Sequence, residues 1–320
     1  MITAAQAMAA QDCPWCKSMQ SGTSLERAGK YAEAVKSYET ALQLADGFGP
    51  TDHRRVFTLN LLAGGYADLG QFANAEQAYR RAISVVKETG NTGSIDYAVL
   101  LSNLSAIYTQ EQRMDEAEGM LRESTSIYSR ILPSDDVRLA VARTCLAQVL
   151  LGKKNYGDAE LLLDEARDAF QEHPGASRGS MGTVMNNLGV LRRVEGRYDE
   201  AIEMYRQALA AFTAEMGPNH PVLVQILGNL GVVYTEDNRP GDAEAAFRQA
   251  LALGEKTLGT EHPTYGEILQ NYSVFLKKNG HKPEARKLAA RAREILREAA
   301  RHAGAGMTID ASAYSGQLKF

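Results

Sequence analysis

The chain has 320 residues, of which 44% are hydrophobic and 23% charged, with a formal net charge of -4. This composition belongs to a folded protein with a sizeable core and excludes wholesale disorder, a collagen-like repeat and a disulfide-dense scaffold. The acidic balance offers no general basic surface for counterion release, so nucleic acid is not an expected partner; no run of some 18 apolar residues is present, so membrane insertion is not expected either.

In chain order, residues 1–16 read as an N-terminal flank. Residues 1–11 are rich in Ala but lack the basic and apolar regions of a secretory signal. The expectation is a cytoplasmic protein, with an exported or periplasmic location as the alternative if a signal peptide precedes Met1. Cys13 and Cys16 enclose Pro14 and Trp15. Redox chemistry in a Cys-x-x-Cys pair asks for the N-terminus of a helix after a strand, and nothing here reads as a strand. Incidental thiols are expected, with a reactive or metal-holding pair as the alternative. Zinc would need further ligands close by, and none is in sight. Three cysteines cannot staple a chain of this length.

Residues 17–302 carry an internal repeat. An alanine recurs as Ala34, Ala75, Ala117, Ala159, Ala201, Ala243 and Ala285, at steps of 41 and then 42 throughout. Four residues after it stands a bulky side chain (Tyr38, Tyr79, Leu121, Leu163, Tyr205, Phe247, but Ala289 in the last copy), and seven after it a small one. That spacing marks one face of a helix. Twelve before it comes another small residue: Gly22, Ala63, Ser105, Ala147, Gly189, Gly231 and Ser273. This column defines a preceding helix, and Gly29, Gly70, Gly196 and Gly280 mark the turn between the two. Each unit is a helical hairpin that cannot bury its own apolar face; stacked hairpins can. One elongated domain is expected, overriding the length prior of two.

The copy Leu230-Gly231-Val232-Val233-Tyr234, followed by Gly241-Asp242-Ala243-Glu244-Ala245-Ala246-Phe247, resembles the tetratricopeptide repeat. The 42-residue period and the loops Gly217-Pro218-Asn219-His220-Pro221 and Gly259-Thr260-Glu261-His262-Pro263 are similar to the kinesin-light-chain-like subfamily. The resemblance implies an all-α, right-handed superhelical solenoid of about seven helix-turn-helix repeats.

The His-Pro pairs read as loop structure, with proline opening the next helix. A column two residues before the small position of the first helix runs Leu61, Asn103, Cys145, Asn187, Asn229, Asn271. Asn is a mediocre helix residue, so its recurrence asks for a cause. In the family this column lies on the concave surface and holds the backbone of a bound peptide, as an amide that both donates and accepts can do; a ladder between neighbouring helices is the alternative, and both can coexist. Cys145 and Leu61 interrupt the track. One turn earlier stand Val99, Val141, Thr183, Gln225 and Glu267. Lacking Lys, they argue against a carboxylate clamp. Arg192, in a column otherwise filled by Tyr66, Tyr108 and Tyr234, and its neighbour Arg193 are candidates for an acidic partner side chain or for simple packing. The basic last helix, with Arg286, Lys287, Arg291, Arg293, Arg297 and Arg301, is read as a solvated cap, with a docking surface for an anionic partner as the alternative. In the tail 303–320, Met307, Ile309 and Tyr314 could fold back.

No phosphate-cradling loop, nucleophile elbow or metal motif is apparent. The expectation is a non-enzymatic interaction scaffold that binds a partner protein segment or peptide in its concave groove, with no cofactor, no metal and no small-molecule substrate. A peptide- or small-ligand-responsive regulatory sensor and an accessory subunit of an envelope or secretion complex are the alternatives.

Overall fold

Seven times along the chain, 42 residues apart after a first step of 41, one residue adopts a left-handed backbone: Gly29, Gly70, Gln112, Lys154, Gly196, Asn238 and Gly280, with φ between 58° and 86°. Each time the following N–H bonds back to a carbonyl five residues earlier, as in Lys30 to Leu25, Arg113 to Tyr108 and Arg239 to Tyr234, at 2.8–2.9 Å. This is the Schellman closure, which satisfies the orphan carbonyls at a helix end and reverses the chain. Four of the seven sites are the glycines that sequence singles out; Gln112, Lys154 and Asn238 take the same conformation without that help.

The turns join fourteen helices in the computed structural model, which describes residues 13–173 and 178–304. They are α1 (Pro14–Arg27), α2 (Tyr31–Asp46), α3 (His53–Asp68), α4 (Phe72–Glu88), α5 (Ile95–Gln110), α6 (Met114–Ile131), α7 (Val137–Gly152), α8 (Tyr156–Glu172), α9 (Arg178–Val194), α10 (Tyr198–Met216), α11 (Val222–Glu236), α12 (Pro240–Thr257), α13 (Pro263–Lys278) and α14 (Lys282–Gly304). No strand occurs among the described residues. The fold is an all-α solenoid. α1 begins inside the segment read as a flank, while the Ala-rich opening 1–11 and the fold-back residues Met307, Ile309 and Tyr314 lie outside the described residues.

The helices divide into two compact units, α1–α6 up to Ile131 and α7–α14 from Leu132, a division of which the even period gives no sign. Within each, the second helix of a hairpin packs against the first helix of the next. The core is made by the predicted columns. Six of the seven anchor alanines are 0% exposed and Ala285 5%. The small residues of the first helices receive the bulky residues sixteen positions later: a Cβ added at Gly22 would meet the Tyr38 ring at 2.4 Å, and at Gly231 the Phe247 ring at 2.7 Å. Where the incoming side chain is Leu121 or Leu163, the receiving residue is Ser105 or Ala147, although Ala63 stands opposite Tyr79.

Helix starts also follow the period. Asp52, Ser94 and Asp136 cap α3, α5 and α7 by accepting a backbone N–H. In the same column the two His-Pro histidines do likewise with Nδ1, His220 accepting from Val222 at 3.3 Å and His262 from Thr264 at 3.2 Å. The loop reading holds, and the cap is the role the imidazoles play in it.

Candidate functional site

In the first unit, a groove opens on the first helices of the three hairpins. Trp15 on α1, Val56, Phe57 and Asn60 on α3, and Asp96 and Val99 on α5 line it. Phe57 and Val99 are successive members of one column, 42 residues apart, and Trp15 stands one position ahead of that column's first member, Cys16, because the first step of the repeat is 41. Phe57 stays 51% exposed, an unusual position for a large aromatic ring. The Trp15 and Phe57 rings lie 6.5 Å apart at 60°, and the indole N–H donates to Thr58 Oγ1 at 2.9 Å, which fixes the ring orientation. Beside them Asn103 Nδ2 donates to Asn60 Oδ1 at 2.9 Å. The Asn60 amide hydrogens and the Asn103 carbonyl are therefore not consumed by this bond. An apolar strip flanked by a carboxylate and amides suits an extended polypeptide segment. This is the column scanned from Val99 onward for clamp lysines. One step back along it stands Phe57, a signal present in the sequence; Trp15 joins it through the fold and not through the repeat.

In the second unit the Asn column is placed on α9, α11 and α13. Asn229 and Asn271 are half-buried; Asn187 is buried at 5% exposure, and its Nδ2 has no hydrogen-bond partner. Asn229 Nδ2 donates to Asn186 Oδ1 at 3.2 Å, repeating the Asn103–Asn60 bond with the same offset. Ladder contacts between neighbouring hairpins are thus present, made with the residue just ahead of the column rather than within it. Cys145 precedes these on α7, and desolvation pushes its thiol up to about 11.

Arg192 reaches back to the preceding hairpin. It pairs with Glu160 at 2.7 Å and with Glu195 at 2.9 Å. The tyrosines of its column do the same, Tyr66 donating to Glu39 at 2.6 Å and Tyr108 to Glu76 at 3.2 Å. Arg193 reaches forward to Glu236 at 2.8 Å. In the first unit the Glu76 carboxyl is partly desolvated, yet Arg113 and Arg80 hold it below the usual carboxylate range. These side chains tie hairpin to hairpin. Among the described residues no group of three or more His, Cys, Asp or Glu could hold a metal ion, and no helix is long and apolar enough to cross a membrane.

A family model of the tetratricopeptide repeat matches residues 16–88, 96–172 and 180–256. The chain belongs to the tetratricopeptide repeat family. Among curated relatives, the mitochondrial tetratricopeptide repeat protein 19 homolog of Drosophila melanogaster is 28% identical over 102 residues, 32% of this chain and 27% of that protein. The photosystem I assembly protein Ycf3 of Parasynechococcus marenigrum is 36% identical over 98 residues, 31% of this chain and 50% of that protein. The chain thus matches half or less of the length of either relative. Among solved tetratricopeptide repeat structures, BtubC (BKLC) of P. vanneervenii is 26% identical with a TM-score of 0.56, covering 70% of this chain and 91% of that one. A putative kinesin light chain with nearly identical repeats, from Podosopora anserina, is 21% identical with a TM-score of 0.50, covering 63% and 95%. Apo RapI reaches a TM-score of 0.70 over 90% of this chain and 100% of that one at 12% identity, a likeness of fold. The kinesin-light-chain-like character of the tetratricopeptide repeats is borne out.

Proposed function

We propose that this tetratricopeptide repeat protein is a non-enzymatic scaffold that holds an extended segment of a partner polypeptide against its first helices. The observation that carries the reading is the groove of the first unit, where Trp15, Phe57 and Val99 form an apolar strip with Phe57 51% exposed. Aromatic anchors with adjoining amides are the usual source of affinity in such sites. Asn103 contributes a carbonyl there. In the second unit Asn187, Asn229 and Asn271 are the proposed backbone contacts, the half-buried Asn229 and Asn271 being more accessible than the buried Asn187. Arg192 and Arg193 are left out of the contact set, since their guanidinium groups already hold Glu160 and Glu236.

Selection of peptides from a displayed random library provides the test. Binders recovered on the wild-type chain are expected to lose at least ten-fold in affinity on Phe57→Ala, and separately on the triple change of Asn187, Asn229 and Asn271 to Ala, with helicity by circular dichroism unchanged. A library that yields no binders, or binders indifferent to both variants, rejects the groove.

A further inference from the structure

The Cys13–Cys16 pair is outside the scaffold reading and has its own geometry. The two are joined by a disulfide, with Cα atoms 5.1 Å apart. Cys13 is the N-cap of α1, Pro14 follows at the first helical position, and Cys13 Sγ accepts the backbone N–H of Cys16 at 3.1 Å. No acidic residue stands in the first turn of α1; in sequence Asp12 precedes the pair and Lys17 follows it. Both cysteines are half-buried and neither is sealed in the core.

The sequence expectation of incidental thiols rested on the missing strand. A strand only positions a helix in the folds that use it; what stabilises a thiolate is the helix N-terminus, with its unpaired N–H groups and positive dipole end. That terminus is here, aimed at Cys13 Sγ. Cys145 is the contrast within the same chain: desolvation pushes its thiol up to about 11, and it has no cysteine partner.

We propose that Cys13 and Cys16 form a thiol–disulfide exchange site whose co-reactant is a thiol. The thiolate of a first thiol attacks Cys13 Sγ; the Cys13–Cys16 bond breaks, a mixed disulfide forms at Cys13, and Cys16 leaves as a thiolate that takes up a proton. A second co-reactant thiolate attacks the co-reactant sulfur of the mixed disulfide, and Cys13 departs as a thiolate held by the first turn of α1. Two co-reactant thiols are oxidised to one disulfide, and the protein disulfide is reduced by the same two electrons. The reverse sequence oxidises the pair at the expense of a co-reactant disulfide. Trp15 lies between the two sulfurs in sequence, is the one tryptophan of the chain, and reports the state of the pair.

The full chain is equilibrated in graded mixtures of reduced and oxidised glutathione and, in a parallel arm, with a synthetic peptide bearing two cysteines. Trp15 fluorescence and alkylation of free thiols are read. Expected are interconversion within minutes and, for the reduced pair at pH 6, alkylation of Cys13 about five-fold or more faster than in an unstructured Cys-Pro-Trp-Cys peptide, the gain in thiolate fraction being partly offset by lower nucleophilicity. Cys13→Ser keeps a good N-cap and is expected to abolish the fast thiol without loss of helicity; Cys16→Ser is expected to keep it and to trap a mixed disulfide. Exchange in either arm supports the site, and the faster arm identifies the source of the thiol. A pair that exchanges with neither, or a Cys13 alkylated no faster than the peptide, overturns it.

Discussion

Gly189 on α9 faces the ring of Tyr205 on α10 so closely that a Cβ added to the glycine would lie 2.7 Å from ring atom Cε1 and 2.8 Å from Cδ1. The glycine is there for the ring. Tyr205 is fully buried and pinned within its hairpin, and the absence of one methyl group lets the two helices close over it.

Gly189→Ala and Gly231→Ala are therefore expected to destabilise the protein by about 1–3 kcal/mol each, as overpacked core positions do. Gly119 on α6 provides the opposite case, since a Cβ there meets nothing within 4 Å. Gly119→Ala is expected to stabilise by about 0.5–1 kcal/mol through helix propensity alone. Urea unfolding followed by circular dichroism distinguishes the signs; equal effects at all three positions would show that the ring contacts do not decide the matter.

At the hairpin turns, Lys154 and Gln112 hold φ of 62° and 60° without being glycine. A left-handed residue with a Cβ costs about 1–2 kcal/mol, and glycine returns part of that through the entropy of the unfolded chain. Lys154→Gly and Gln112→Gly are each expected to raise stability by about 0.5–1 kcal/mol, whereas Gly196→Ala lowers it by about 1 kcal/mol. Thermal melts of the three variants give the order directly.

Ser102 and Ser124 are buried and share a hydrogen bond of 2.7 Å, while Ser124 also donates to the Ala98 carbonyl at 2.8 Å. Ser124→Ala leaves the Ser102 hydroxyl without that partner in an apolar surrounding, a loss of about 1–2 kcal/mol. The double variant Ser102→Ala with Ser124→Ala removes both polar groups and is expected to be more stable than Ser124→Ala alone. A double-mutant cycle in which the two losses simply add would mean that the hydroxyls act independently.

His220 caps α11 through Nδ1, and burial holds its imidazole below the usual range. The folded state favours the neutral, accepting form, so between the folded and unfolded values the unfolded chain binds more protons. The contribution is fully present above the unfolded value, about pH 6.5, and is lost as pH falls through the lower folded value. About 1 kcal/mol, the size of an N-cap bond, is expected to disappear between pH 7.5 and pH 5. His220→Asn keeps an accepting oxygen and should flatten this part of the profile; a variant whose melting temperature tracks wild type across that interval would count against the cap.

The sequence by itself determined the period, the two helices of each repeat, the anchor alanines and the small residues opposite bulky ones. These are legible because helix spacing and close approach act on every copy alike, so one physical demand writes the same residue type every 42 positions. It also held Phe57, one period ahead of Val99, whereas Trp15 stands one position off that column and only the fold brings it beside Phe57. Tertiary structure alone decided the pairings between copies. Asn103 and Asn229 bond to Asn60 and Asn186, one position outside the expected column, and Arg192 and Arg193 are spent on Glu160 and Glu236, because contacts across hairpins depend on how each helix is rotated against the next. It decided likewise that Cys13 stands at a helix N-terminus, which follows from where the first hairpin begins and not from the four residues of the motif.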